Sequence, residues 1–142
     1  MIVPDVNLLL YAHIDAFGEH AQARAWLEEL LNGNQDVGIA APVLFGFVRL
    51  ATNRRVLVNP MSVEDALAAV ETCLRRRHVR ILNPGPRHLE IAFGLLRRLG
   101  TAANLTTDVQ IAALAIEHQG ELHSNDADFG RFPQLRWQNP LG

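Results

Sequence analysis

The sequence predicts a single domain with an α/β fold, built on a mostly parallel sheet of four to five strands. Short apolar segments alternate with longer amphipathic segments along the 142 residues, which is the pattern of strands joined through helices. Glycine and proline lie where the amphipathic segments are expected to begin or end. The length suits one domain covering residues 1–142, and 49% hydrophobic residues are enough for a substantial core.

Five segments are candidate strands and six are candidate helices. The predicted strands comprise 2–3, Val37–Ala40, Val79–Leu82, 121–124 and 135–137. The predicted helices comprise 8–12, 20–31, 42–52, 63–77, 87–99 and 108–119. Pro42 suits the first turn of the third helix, and Gly100 and Gly120 are expected to end the last two helices.

Capping residues indicate where several helices begin. Asn7 is a candidate N-cap for the first helix and Thr107 for the last. Ser62 opens the fourth helix as part of a capping box, with Asp65 in place of the usual Glu. The apolar face of that helix is predicted to comprise Val63, Ala66, Leu67, Val70 and Leu74.

Composition excludes several classes of function. All 13 basic residues are arginine, so P-loop nucleotide hydrolases and Schiff-base enzymes, which need lysine, do not fit. The net charge of −2 gives the fold no general attraction to nucleic acid. Cys73 is the only cysteine, so no internal disulfide can form. No apolar run reaches the length of a membrane span and no export signal is visible, so we expect a cytoplasmic protein without a membrane partner.

Carboxylates are predicted to meet at one edge of the sheet. Asp5 follows the first strand, Asp126 and Asp128 follow the fourth, and Asp108 lies in the first turn of the last helix. In parallel α/β folds, ligands bind beyond the carboxyl ends of the strands. Each acid also has a local alternative: Asp5 as a helix cap, Asp108 as a helix-dipole partner, and the other two as turn formers.

A group of carboxylates favours a hard divalent cation, because the charges otherwise repel one another and their pKa values rise. Mg²⁺ or Mn²⁺ suits oxygen ligands, whereas zinc would call for cysteine or paired histidines. Carboxylates that hold Mg²⁺ commonly serve phosphate chemistry, so a metal-dependent phosphodiesterase or nuclease is the leading hypothesis. Haloacid dehalogenase-type phosphatases and response-regulator receivers also place an Asp after the first strand, but both need a lysine that this chain lacks.

Four segments, in order along the chain, resemble PIN-domain ribonucleases, specifically VapC-type toxins of bacterial toxin–antitoxin pairs. They begin with Asp-Val-Asn-Leu-Leu at 5–9 and continue with 42–53, 107–115 and 124–132. The resemblance implies a three-layer α/β/α fold and Mg²⁺-dependent cleavage of RNA, such as a tRNA, by a metal-activated water. It also implies a homodimer and a small VapB-like antitoxin that occludes the site.

The resemblance also implies roles for individual residues. The family's acids correspond to Asp5, Asp108 and Asp126, with Asp128 close behind. Asp5 and Asp108 are the expected metal pair for Mg²⁺, with Mn²⁺ as a substitute. Where the family usually has a Glu in the helix after the second strand, this chain has Gly46.

That departure leaves open a second hypothesis, a degenerate PIN-fold module that binds RNA or a protein partner without cleaving RNA.

Three further side chains are candidates for RNA contact: Asn7, Arg49 and Ser124. Each has a structural alternative, since Asn7 can cap a helix, Arg49 can lie on a solvated surface, and Ser124 can serve only the end of its strand.

Overall fold

The computed structural model describes residues 1–102 and 105–142 and has a five-stranded sheet at its centre. Its strands are β1 (Ile2–Pro4), β2 (Val37–Ala40), β3 (Val79–Leu82), β4 (Glu121–His123) and β5 (Arg136–Gln138). The spatial order is β3-β2-β1-β4-β5, and every pairing is parallel. The prediction of an α/β fold with a mostly parallel sheet is therefore confirmed.

Helices cover both faces of this sheet. They are α1 (Val6–His13), α2 (His20–Asn32), α3 (Ala41–Ala51), α4 (Val63–Leu74), α5 (His88–Leu99) and α6 (Thr106–Glu117). The chain moves from β1 to β2 to β3 and then returns past β1 to β4. Right-handed crossovers therefore place α1 to α4 on one face and α5 and α6 on the other. Contacts of α1 with α2, α3 with α4, and α5 with α6 agree with this three-layer arrangement.

The core lies on both sides of the two central strands. All residues of β1 and β2 are buried, which explains why these strands read as continuous apolar runs. Val3 and Leu122 lie side by side in the sheet, and both are completely buried. Among the residues that the structure describes, no helix is both long and apolar enough to cross a membrane.

Two predicted helix caps are wrong. α1 begins at Val6, and Asp5, not Asn7, occupies its N-cap position and accepts a hydrogen bond from the Val6 amide. α6 begins at Thr106 after Leu105 and has no side-chain cap, so Thr107 lies inside the helix. In both cases the helix starts two residues earlier than predicted.

The fourth helix begins as predicted and presents part of its predicted apolar face to the core, since Ala66 is buried and Val70 and Leu74 pack against the core. The Ser62 hydroxyl accepts a hydrogen bond from the Asp65 amide at 3.0 Å, so the predicted cap is confirmed. The buried residues of α4 are Ala66 and Cys73, whereas Val63 is 55% exposed. The helix ends at Leu74, so the arginines at 75–77 follow it instead of forming its last turn.

The other boundaries differ only slightly from those expected. α6 ends at Glu117, two residues before the predicted end. β4 ends at His123, so Ser124 lies just beyond the strand, and β5 lies one residue later than predicted. These shifts leave the carboxylates on the connections beyond the strands.

The C-terminal end of α6 is fastened to the loop before α5. The Glu117 carboxylate accepts hydrogen bonds from the amides of Gly85 and Arg87, both at 2.9 Å. Both donors are backbone amides, and they stabilise the charged carboxylate. The pKa of Glu117 is therefore lower than its ordinary value. The neighbouring His118 ring contacts the Asn83 carbonyl at 2.9 Å. The clamp fixes α6, which carries Asp108 at its other end.

Two glycines allow the packing of this sheet to be tested. A Cβ at Gly38 on β2 would lie 2.5 Å from Leu82 Cγ, whereas a Cβ at Gly94 on α5 would meet nothing within 4 Å. We expect Gly38→Ala to lower the free energy of unfolding by about 1–3 kcal/mol through overpacking. Gly94→Ala should raise it by up to about 1 kcal/mol through helix propensity. Urea denaturation of the two variants checks this, and equal effects of the same sign would contradict the packing at Gly38.

Candidate active site

Asp5 lies buried where β1 passes into α1. Its Oδ1 accepts a hydrogen bond from the Val6 amide at 2.8 Å, and its Oδ2 accepts one from the Ser124 hydroxyl at 2.8 Å. Burial raises the pKa of Asp5, and the two hydrogen bonds act in the opposite direction. Since a carboxylate has about four acceptor sites, both oxygens keep capacity for a further partner.

Ser124 connects the ends of β1 and β4. Its completely buried hydroxyl donates to Asp5 and accepts from the Asp126 amide at 3.0 Å. Its backbone is fixed in turn, because its amide donates to the Gln138 carbonyl and its carbonyl accepts from the Trp137 indole. The Ser124 hydroxyl, a candidate for RNA contact, is thus enclosed by protein groups and bonded to the Asp5 carboxylate.

Asn7 and Asn125 form a second link across the same boundary. The Asn7 side-chain amide donates to Asn125 Oδ1 and lies 3.4 Å from Ser124 Oγ. Asn7 Oδ1 is buried and has no hydrogen-bond partner among the described residues. A buried carbonyl oxygen without a donor is costly, so this atom is suited to accept from a water molecule or to face a cation. Sequence reasoning missed Asn125, because nothing in the sequence shows that it pairs with a residue 118 positions away.

The acids after β4 lie at the start of a short 3₁₀ helix, Ala127–Arg131. Asp126 caps this helix, accepting a hydrogen bond from the Asp128 amide at 2.9 Å. The Asp128 carboxylate forms an ion pair with Arg131, with Nη2 and Oδ1 3.2 Å apart. Asp126 therefore forms the local turn contact that was its alternative role. It also lies close enough to Asp5 to raise the pKa of that residue. Sequence reasoning missed Arg131.

Asp108 completes a carboxylate cluster, which we define as Asp5, Asp108, Asp126 and Asp128. The pKa of Asp108 is raised to about 6, with burial as the largest cause and the three other carboxylates as additional causes. Arg131 acts in the opposite direction. The four acids therefore share one electrostatic environment at the C-terminal edge of β1 and β4, as the α/β topology predicts.

The cluster offers a cation only oxygen ligands. Within residues 1–102 and 105–142, no three His, Cys, Asp or Glu side chains are placed to enclose a metal ion. Mg²⁺ does not require such a cage, because it keeps several waters and binds through one or two carboxylates together with substrate phosphates. The all-oxygen donors, their mutual repulsion and the unpaired Asn7 Oδ1 fit such an ion.

Arg49 lies apart from the carboxylate cluster, whereas Gly46 lies beside it. Arg49 is exposed on the last turn of α3, and no described hydrogen bond or ion pair links it to the cluster. Gly46 faces the start of α1, where a Cβ would lie 3.4 Å from Val6 Cγ2 in ordinary contact. A longer side chain at position 46 would therefore emerge next to the residue that follows Asp5.

Comparison with known proteins identifies close relatives over the whole chain. The sequence is 52% identical to Ribonuclease VapC33 of Mycobacterium tuberculosis over 141 residues, covering 99% of each chain. It is 40% identical to Ribonuclease VapC43 of the same species, covering 99% of this chain and 96% of the relative.

Solved structures with low sequence identity share the fold. VapBC2 from Rickettsia felis, bound to a promoter DNA fragment, matches with a TM-score of 0.70 at 21% identity, covering 98% of both chains. VapBC-1 from nontypeable Haemophilus influenzae matches with a TM-score of 0.71 at 18% identity, covering 100% of both chains. These likenesses confirm the three-layer arrangement.

The family model described as PIN domain matches residues 2–135. The match runs from β1 to the residue before β5 and includes all four members of the carboxylate cluster. The resemblance seen in the four sequence segments is confirmed, and this chain belongs to the PIN-domain family.

Proposed function

We propose that this chain is a metal-dependent endoribonuclease and the toxin of a VapBC-type toxin–antitoxin pair. The observation that carries the proposal is the carboxylate cluster, which gathers four acids at one sheet edge and raises the pKa of Asp108 to about 6. Relatives named as VapC ribonucleases, at up to 52% identity among those compared, support RNA as the substrate.

We propose that the ion is Mg²⁺, with Mn²⁺ as a substitute, and that each residue of the cluster has a different role in binding it. Asp5 and Asp108 would bind it directly, Asp126 would be the third ligand, and Asp128 would act through water. When bound, the ion stabilises negative charge on the phosphate and makes a water molecule a better nucleophile. Ser124 holds the Asp5 carboxylate at a fixed angle, with 2.8 Å between the two oxygens.

A binding module that does not cleave RNA is the alternative, and Gly46 is the observation that favours it. Glycine offers no side-chain ligand, so the site has one acid fewer than the family pattern. Two features favour cleavage: the raised pKa of Asp108 and the retained set Asp5, Asp126 and Asp128. A module that needs no cation would gain nothing from keeping four carboxylates close enough to repel one another.

Partners are proposed from the relatives and from the exposed apolar surface. Several of the matched structures are VapBC complexes, so we propose a VapB-like antitoxin and a homodimer for this chain. Phe45 is 76% exposed on α3, and Val56, Val58 and Val63 are also exposed on or before α4. We propose that these apolar side chains contribute to the surface that binds a partner. A tRNA is the proposed substrate, and the cytoplasm, where such RNA is found, is the proposed location.

The first prediction concerns cleavage itself. We expect Asp5→Asn to lower the rate of RNA cleavage in Mg²⁺ by at least about a hundredfold, since loss of a ligand costs more than loss of its outer partner. The matched control is Asp15→Asn, because Asp15 is an exposed acid in the loop after α1. The measurement is cleavage of total tRNA with and without a chelator. Equal rates for wild type and Asp5→Asn would refute the proposed function.

The second prediction concerns pH. Asp108 is protonated in the metal-free fold up to about pH 6, whereas its ordinary pKa is 3.8. Protonated Asp108 therefore stabilises the folded state below pH 3.8, and this stabilisation is lost as the pH rises through 6. The free energy of unfolding of the metal-free protein falls over that range. Since ions compete with this proton, Mn²⁺ affinity should rise by up to about tenfold per pH unit below pH 6.

Calorimetric titration with Mn²⁺ across this pH range tests the prediction, with Asp108→Asn as the control. The variant should bind Mn²⁺ weakly and with a shallower pH dependence. A wild-type affinity that does not change between about pH 5 and about pH 6 would show that Asp108 does not bind the ion.

The third prediction concerns the missing acid. We expect Gly46→Glu to tighten Mg²⁺ binding by on the order of tenfold, because it adds a charged oxygen ligand beside α1. Gly46→Gln has the same size without the charge and should not tighten binding. Titration calorimetry distinguishes them, and equal affinities of the two variants would place position 46 outside the reach of the ion.

A further inference from the structure

Arg131 is a cation at the rim of a site made of acids. It is the last residue of the 3₁₀ helix, its side chain is 40% exposed, and its Nη2 lies 3.2 Å from Asp128 Oδ1. Its charge also reaches Asp108, where it opposes the effect of the neighbouring carboxylates. Sequence reasoning had assigned the RNA-facing positive charge to Arg49, which has no described link to the cluster.

The backbone that carries Arg131 is held firmly. Phe129 and Phe132 flank it, both are buried, and their ring centroids are 6.2 Å apart. The Phe132 amide donates to the Phe129 carbonyl at 3.2 Å. Gly130 lies against the Trp137 indole, where a Cβ would be 3.4 Å from the ring. The Cα of Arg131 is therefore fixed, while its exposed guanidinium can turn about its own side-chain bonds.

RNA approaching the cluster meets like charge. The cluster holds up to four of the negative charges of a chain whose net charge is −2, and one divalent ion offsets only part of those four. A phosphate therefore needs a cation on the protein at the rim of the site. A guanidinium suits this task, because its planar donors match the oxygens of a phosphate in pairs.

We propose that Arg131 is an RNA-binding residue whose guanidinium leaves Asp128 to contact a phosphate of the substrate beside the cleavage site. The proposal rests on the ribonuclease function proposed above. The Asp128 carboxylate holds the guanidinium in the free protein, and the phosphate replaces it as the partner when RNA is bound. Arg131 then determines how tightly RNA binds, without being a ligand of the metal ion.

A purely structural ion pair is the competing explanation, since exposed pairs three residues apart are common and contribute little to stability. The chain offers a matched control for it. Arg87 forms an ion pair with Glu90 at 3.4 Å, also three residues apart and also exposed, at the start of α5. If Arg131 acts only through its ion pair, the two arginines should respond alike to substitution.

The experiment compares Arg131→Gln, Arg131→Lys and Arg87→Gln with wild type. Total tRNA is the substrate, Mg²⁺ is saturating, and KM and kcat are measured at several salt concentrations. We expect Arg131→Gln to raise KM by about tenfold or more, as loss of a charge-assisted phosphate contact implies. The dependence of log KM on log salt should fall by about 0.7, the value for one phosphate contact of a single strand. Arg131→Lys should recover part of the loss, and Arg87→Gln should match wild type.

Two controls separate the possible failures. Thermal unfolding and Mn²⁺ titration should show that Arg131→Gln is folded and binds the ion at least as tightly as wild type does. Unchanged KM and salt dependence in Arg131→Gln, with active wild type, would overturn the assignment of Arg131 alone. A change confined to kcat and metal affinity would also overturn it, because Arg131 would then act on the ion. Absence of cleavage by wild type would overturn the ribonuclease function and this inference with it.

Discussion

The hydrogen bond between Ser124 Oγ and Asp5 Oδ2, 2.8 Å long, joins the two strand ends on which the site depends. Asp5 is nearly fully buried at the end of a completely buried strand, where an unpaired carboxylate would be expensive. The Val6 amide and the Ser124 hydroxyl stabilise the carboxylate by donating hydrogen bonds to it. Ser124 can reach Asp5 because β1 and β4 are neighbours in the sheet. The same hydroxyl accepts a hydrogen bond from the Asp126 amide. Ser124 therefore links the position of Asp5 to the loop that carries Asp126 and Asp128.

Chain topology explains how distant acids reach this point. The return from β3 through α5 and α6 to β4 crosses beneath the sheet and brings the start of α6 to the edge where β1 ends. The clamp between Glu117 and the loop before α5 fixes the opposite end of that helix. Asp108 is consequently held near three other carboxylates, and its pKa is raised mainly by burial and additionally by their repulsion. A fold that keeps like charges together against this repulsion is prepared for a cation.

The sequence predicted most of the architecture, because its strong signals are local. Buried parallel strands read as apolar runs, and Gly100 ends α5 with a φ of 72°, as expected of a helix-ending glycine. Caps were harder, because Asp5 and Asn7 are both good capping residues two positions apart and only the backbone decides between them. The face of α4 was predicted only in part. Ala66, Val70 and Leu74 pack on the core as expected, whereas Val63 and Leu67 are exposed and Cys73, outside the predicted face, is buried. The roles of Asn125 and Arg131 depend on contacts across the fold, which periodicity does not encode.

The central claim is that the carboxylate cluster holds a divalent ion between Asp5 and Asp108. Anomalous diffraction from crystals soaked in Mn²⁺ tests it most directly, because the position of the ion is seen independently of activity. The account predicts a peak about 2.0–2.2 Å from a carboxylate oxygen of each of these two residues. It also predicts loss of that peak in Asp5→Asn crystals. A saturating soak that gives no peak at the cluster, or a peak only elsewhere on the protein, would contradict it.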